Sequence, residues 1–174
     1  KLTEMIVDKK NRIAYIGDRG GSIKVLSLHS SPPINKQSIK TSSNDSIRGL
    51  DADFENKKLF CCCYEDSYVY IYNITDPSDP EGRIEKLHTI KGVPQPRTLK
   101  WWPDREELFL GHEGGNVSVI NYRLNKDGPI FSMKAHEGNV NCLQILENEG
   151  VVVSASGDKK IKVSSSDSSS GSRQ

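Results

Sequence analysis

The sequence predicts an all-β chain of repeated antiparallel sheets, and three observations carry that prediction. Four stretches share an apolar-x-apolar triplet: Ile23-Lys24-Val25, Val69-Tyr70-Ile71, Val117-Ser118-Val119 and Ile161-Lys162-Val163. Their first members lie 46, 48 and 44 residues apart. A Gly- or Asp-rich turn precedes each triplet: Gly20-Gly21-Ser22, Asp66-Ser67-Tyr68, Gly114-Gly115-Asn116 and Asp158-Lys159-Lys160. Such turns suit the positive φ angles of tight hairpins. Four short antiparallel strands at a period of about 45 residues are the arithmetic of a β-propeller blade.

Each unit reads strand, charged turn, strand, hairpin turn, strand. The first strands fall in Leu2 to Val7, Ile47 to Phe54, Pro96 to Trp102 and Val140 to Leu146. The second are Ile13 to Ile16, Leu59 to Cys62, Leu108 to Leu110 and Val151 to Val153. Weaker fourth strands are expected at Gln37 to Thr41, Glu85 to Lys91 and Ile130 to Lys134. No stretch has helical periodicity. The expected organisation is a partial propeller over 1–163, with blades of about 2–43, 44–92, 93–136 and 137–163. A Ser-rich tail over 164–174 is expected to be disordered. A closed ring exposes no strand edge. More repeats flanking this segment, tight four-blade closure, or pairing of the open edges with a partner would each deal with those edges; part of a larger ring is the favoured expectation. The first residue, Lys1, fits a fragment or a processed chain.

Composition narrows the function classes. The chain has 174 residues, with 24 Lys and Arg against 23 Asp and Glu, for a net charge of +1. No net field draws it onto nucleic acid or an anionic membrane. No apolar run reaches the roughly 18 residues of a membrane helix, and no signal core opens the chain. Cys61, Cys62 and Cys63 are consecutive, so on a strand they alternate faces and cannot converge on one metal. With Cys142 they read as small core residues of a cytoplasmic protein. No H-E-x-x-H, Walker loop, G-x-S-x-G or G-x-G-x-x-G occurs. His29 reads as loop, His88 as a residue on the exposed face of an alternating strand, and His112 as a hairpin-turn residue beside Glu113. The chain is therefore expected to be no enzyme and to need no metal or cofactor. Trp101 and Trp102 adjoin on a strand and should face opposite sides of their sheet. Tyr68, Tyr70 and Tyr72 share one face and read as packing between blades. Arg48 and Arg97 read as solvated rim charges.

The fourth unit, Ala135-His136-Glu137-Gly138-Asn139-Val140 through Ser154-Ala155-Ser156-Gly157-Asp158 to Val163, resembles a WD repeat. In that family a His, a Ser or Thr, an Asp and a Trp form a buried hydrogen-bond chain. His136, Ser154 and Asp158 match by position, whereas Ser164-Ser165 stands where Trp-Asp would be. The resemblance thus implies a structural clamp without its Trp. The second unit has Ser43 at the His place, Cys62 at the Ser place and Asp66 at the turn Asp; the third has Gly92 and Gly114 at the His and Asp places. Residues 98–111 and 14–23 are similar to blades of proteins that join WD repeats to a zinc-binding FYVE domain, a family associated with endosomes.

What the resemblance implies is a non-catalytic protein-interaction scaffold. Its binding face would present the residue before each turn and the residue leading into each inner strand. By position these include Arg19, Glu65, Gln95, Glu113 and Asn139. The expected partners are proteins or peptides, not nucleic acid and not an inserted membrane. The alternative is an adaptor in endosomal trafficking whose lipid-binding module lies outside this chain.

Overall fold

The computed structural model describes residues 1–41, 44–65, 67–75, 83–123 and 127–165. These residues form fifteen strands and two short 3-10 turns, with no α-helix among them. The first sheet holds β1 (Leu2–Asp8), β2 (Ile13–Asp18), β3 (Ser22–Ser27) and β4 (Ile34–Lys40). The second holds β5 (Ile47–Asp53), β6 (Lys58–Cys63), β7 (Val69–Ile74) and β8 (Ile84–Ile90). The third holds β9 (Pro96–Trp102), β10 (Glu107–His112), β11 (Asn116–Asn121) and β12 (Phe131–Lys134). The fourth holds β13 (Val140–Leu146), β14 (Val151–Ser156) and β15 (Ile161–Ser165). Strands adjacent in sequence pair antiparallel in every sheet. The four sheets are arranged as the blades of a β-propeller.

Local chemistry sets the turns. The residue closing the first turn of each blade is left-handed: Arg12 at φ 54°, Lys57 at 55°, Glu106 at 51° and Gly150 at 65°. Only Gly150 adopts that angle without a Cβ clash. Asp8 and Asp53 offset the cost in the first two blades. Asp8 accepts from the Asn11 backbone N–H at 3.0 Å and from its side-chain amide at 2.7 Å. Asp53 accepts both bonds from Asn56 at 2.9 Å. The hairpins between second and third strands also use positive φ, at Gly21, Ser67, Gly114, Gly115 and Lys159.

The core lies between blades. The first strands stand side by side, β1 beside β5, β5 beside β9 and β9 beside β13. Tyr15, Val25, Cys61, Cys63, Tyr70 and Tyr72 fill the first interface. Phe60, Cys62, Ile71, Leu99, Trp101 and Leu110 fill the second. Trp102, Phe109, Val140, Leu143 and Ile145 fill the third. Trp101 stacks on Phe60 at a centroid distance of 4.6 Å, and its indole N–H donates to Asp53 Oδ2 at 3.0 Å. Trp102 turns the other way, onto Phe109. Small residues let the blades close up. A Cβ on Gly111 would lie 2.5 Å from Val140 Cγ1, and one on Gly17 2.6 Å from Ile47 Cγ2.

Both ends of the stack are open among the described residues. On the first sheet Met5 points away from the core face that holds Ile6, and is exposed, as is Leu2. On the fourth, pairing puts Cys142, Ala155 and Ile161 on one face with Gln144, Val153 and Val163. Ile161 and Val163 on that face are 72% and 66% exposed, values that only an uncovered sheet gives.

The register corrects two sequence expectations. Cys61, not Cys62, lies opposite Leu50 as Ser154 lies opposite Leu143, so Cys61 occupies the Ser place of the second unit. Counting back four residues from the turn Asp, the spacing of Ser154 and Asp158, lands on Cys62, because Cys61 and Asp66 are five apart. β15 also runs through Ser164 and Ser165, beyond the expected boundary at Val163. Residues 166–174, together with Ser43 and Asp66, lie outside the described residues.

Candidate functional site

All inner strands run in the same direction side by side, so their leading residues and the hairpin turns between second and third strands share one face. Arg19 and Glu65 sit in the first two of those turns, both exposed. The Arg19 N–H donates to Lys1 O at 2.9 Å, and the Glu65 N–H to Asp45 Oδ2 at 2.7 Å. Three further residues expected on the face meet at its third and fourth blades. The Glu113 N–H donates to Gln95 O at 3.1 Å, and Asn139 Oδ1 accepts from the Gly114 N–H at 3.1 Å. Gln95 is exposed and left-handed at φ 41°. Glu113 is half-buried, with Oε2 shielded from solvent and unbonded. Asn139 spends its side-chain carbonyl on the neighbouring blade, which makes it a clamp as well as a surface residue.

His136, Ser154 and Asp158 come together beneath this face. His136 Nδ1 lies 3.0 Å from Asp158 Oδ2, and Nε2 lies 2.8 Å from Ser154 Oγ. The His136 ring is 1% exposed, which leaves no room for an attacking group. Asp158 also accepts from the backbone N–H groups of Glu137 at 3.1 Å and Lys160 at 2.9 Å. Desolvation pushes this carboxyl up, but the His136, Lys160 and Glu137 hydrogen bonds outweigh it and hold the pKa at about 2. A carboxylate held ionised by three donors, against a buried ring, is a locking device and not a charge relay.

A second clamp escaped the sequence. His112 is 2% exposed and ends β10, so it belongs to the strand and not to the hairpin turn expected from the sequence. Its Nδ1 lies 2.7 Å from Pro94 O and its Nε2 lies 2.6 Å from Ser118 Oγ. A carbonyl only accepts, so Nδ1 carries the proton and Nε2 accepts from Ser118 in the neutral ring. Burial lowers the His112 pKa, opposed by the bond to Pro94, and favours that neutral form. The sequence signal was available: His112 and Ser118 flank a Gly-Gly hairpin at a distance that pairing would close.

The inner strands also correct the view of Arg48 and Arg97 as solvated rim charges. Pairing skips one residue in each inner strand: Thr3, Arg48, Arg97 and Asn141. Such bulges re-aim a side chain. Arg48 and Arg97 are half-buried, with guanidinium carbons 5.6 and 5.8 Å from the centroid of the Tyr64 ring. Nearby, Lys100 Nζ pairs with Asp51 Oδ2 at 3.7 Å. Glu4 is raised by burial, against the opposing charges of Lys100 and Arg48. Among the described residues no group of three or more His, Cys, Asp and Glu could hold a metal ion. No helix among them is long and apolar enough to cross a membrane.

Bladed sheets with a His–Ser–Asp clamp are similar to those of WD-repeat β-propellers, and part of the chain matches that family. Residues 127–164 match the family model described as "WD domain, G-beta repeat". Two curated proteins named "Eukaryotic translation initiation factor 3 subunit I" are similar. The one from Brugia malayi is 25% identical over 95 residues, covering 55% of this chain and 29% of the relative. The one from Culex quinquefasciatus is 24% identical over 132 residues, covering 75% and 40%. The chain therefore spans well under half the length of either. A chain in the solved structure described as "Crystal Structure of Mitotic Checkpoint Complex" superposes with a TM-score of 0.76 at 17% identity, covering 94% of this chain and 48% of that one. At that identity the likeness is one of fold. None of these matches supports the FYVE subfamily.

Proposed function

We propose that the chain is a non-catalytic scaffold that presents the face bearing Arg19, Glu65, Gln95 and Glu113 to protein or peptide partners. The observation that carries this reading is the layering of the face. Polar, partly exposed side chains lie on top, and buried clamps at His112 and His136 fix the turns beneath them. Rigid elements carrying polar loops are how such folds recognise partners. The two curated relatives are named as subunits, and the structural neighbour belongs to a complex, which fits a part of an assembly. The exposed apolar faces of the first and fourth sheets support further blades in a larger ring, which would cover them. The endosomal adaptor alternative, in a cytoplasmic, endosome-associated setting, rests on the similarity of residues 98–111 and 14–23 alone. It uses the same face and leaves lipid recognition to another module.

The test is affinity capture with the wild type and with the double variant Arg19→Glu/Glu65→Lys. Both residues are exposed, so the expected result is loss of captured partners at an unchanged melting temperature. Capture that survives the reversal contradicts the assignment of the face.

A further inference from the structure

The bulge gives each inner strand one re-aimed residue at the same register, so Thr3, Arg48, Arg97 and Asn141 stand at one level of four neighbouring strands. Three of the four bring shielded polar atoms with no hydrogen-bond partner: Thr3 Oγ1, Arg48 Nε and Arg97 Nε. Unmet buried donors are uncommon and call for an explanation. Among the described residues neither guanidinium has a hydrogen bond or ion pair, and both lie against Tyr64. Two adjacent cations repel each other, the Glu4 carboxylate that feels the Arg48 charge forms no ion pair with it, and burial adds to the cost. Arg97 is accordingly lowered from its ordinary value, first by desolvation and then by the Arg48 charge. It stays protonated, because guanidinium loses its proton only far above neutral pH.

We propose that Arg48, Arg97 and Tyr64 form a binding site for a phosphorylated side chain of a peptide partner. The inference rests on the scaffold reading and names the chemistry that scaffold would recognise. Two guanidinium forks offer more donors than one carboxylate can accept. A phosphate monoester brings close to two negative charges and three acceptor oxygens, enough to bridge both. The Tyr64 ring supplies a face on which the forks are already held. The surroundings favour a peptide over a membrane or nucleic acid. Asp45, Glu65 and Glu113 stand on the same face, and such carboxylates would repel an extended anionic surface while leaving room for one recessed phosphate.

The experiment presents the protein with a degenerate peptide pool bearing a fixed phosphothreonine and with the same pool bearing threonine. Vesicles of phosphatidylcholine with added phosphatidylinositol 3-phosphate form a third arm. Retention of the phosphorylated pool, reduced at least tenfold in Arg48→Gln/Arg97→Gln, is the expected result. The unliganded double variant should melt no lower than wild type, since it loses an unpaired cation pair; Arg48→Lys/Arg97→Lys should bind at an intermediate level. Equal retention of both pools overturns the phosphate site but leaves the scaffold standing. Retention of neither pool also overturns the phosphate site, while the scaffold reading stands or falls on the affinity capture with Arg19→Glu/Glu65→Lys. Binding to the vesicles without the peptides overturns the peptide assignment, and phosphopeptide binding unchanged in Arg48→Gln/Arg97→Gln overturns the residues.

Discussion

His136 Nδ1 lies 3.0 Å from Asp158 Oδ2, and this contact ties the chain leaving the third sheet to the hairpin of the fourth. The His136 N–H meanwhile donates to Gly115 O in the third blade at 2.9 Å, so one residue holds two blades. Asp158→Ala removes the acceptor for His136, Glu137 and Lys160 together and should lower the melting temperature. Ser154→Ala strands a buried ring nitrogen and should cost about 1–3 kcal/mol in denaturant unfolding. Unchanged stability in either variant contradicts the clamp.

Acid should loosen the fold in two stages. His112 is lowered by burial, so the unfolded chain takes its proton first as pH falls through about 6.5, and stability is lost below that point. Asp158 is held at about 2, so its contribution is present above about pH 4 and fades as pH falls from there toward 2. Melting temperature measured against pH should show both declines. His112→Gln should flatten the upper one and leave the lower one in place.

Close approach of blades makes Gly111 intolerant of side chains. A Cβ there would meet Val140 Cγ1 at 2.5 Å and Thr98 Cγ2 at 2.8 Å, and Val140 is fully buried. Gly111→Val should cost about 1–3 kcal/mol through overpacking. The same substitution at Gly20, whose Cβ would meet nothing nearer than 3.5 Å, should cost less.

Trp101 contributes both packing and a buried bond. Trp101→Phe should keep the stack on Phe60 but leave Asp53 Oδ2 without its indole donor, a loss of about 1–3 kcal/mol. Trp101→Ala should lose about 3–5 kcal/mol. Wild-type stability of Trp101→Phe contradicts the role of the hydrogen bond, and equal stability of the two variants contradicts that of the stack.

The sequence made the blades legible because turn chemistry recurs at a fixed period, and strand alternation then sorts Trp101 from Trp102 and Cys62 from its neighbours. The clamp at His136 was legible because Ser154 and Asp158 stand at the spacing of a WD repeat. An extra residue between the Ser place and the turn Asp of the second unit put the Ser place at Cys61 and not Cys62. Bulges turned Arg48 and Arg97 inward from an expected rim. His112 was hidden for a related reason: only folding of the hairpin brings Ser118 and Pro94 against its two nitrogens. The double duty of Asn139, whose side chain bonds across to the third blade, is likewise a property of the packed sheets.

The scaffold reading is tested most directly by amide hydrogen exchange of the protein free and bound to a captured partner. Protection should fall on the turns at 18–21, 113–116 and 157–160 and on Tyr64, Glu65 and Ser67. The opposite turns at 9–12, 55–58, 103–106 and 147–150 should exchange as in the free protein. Protection confined to those opposite turns, or to the outer strands β4, β8 and β12, would contradict the proposed face.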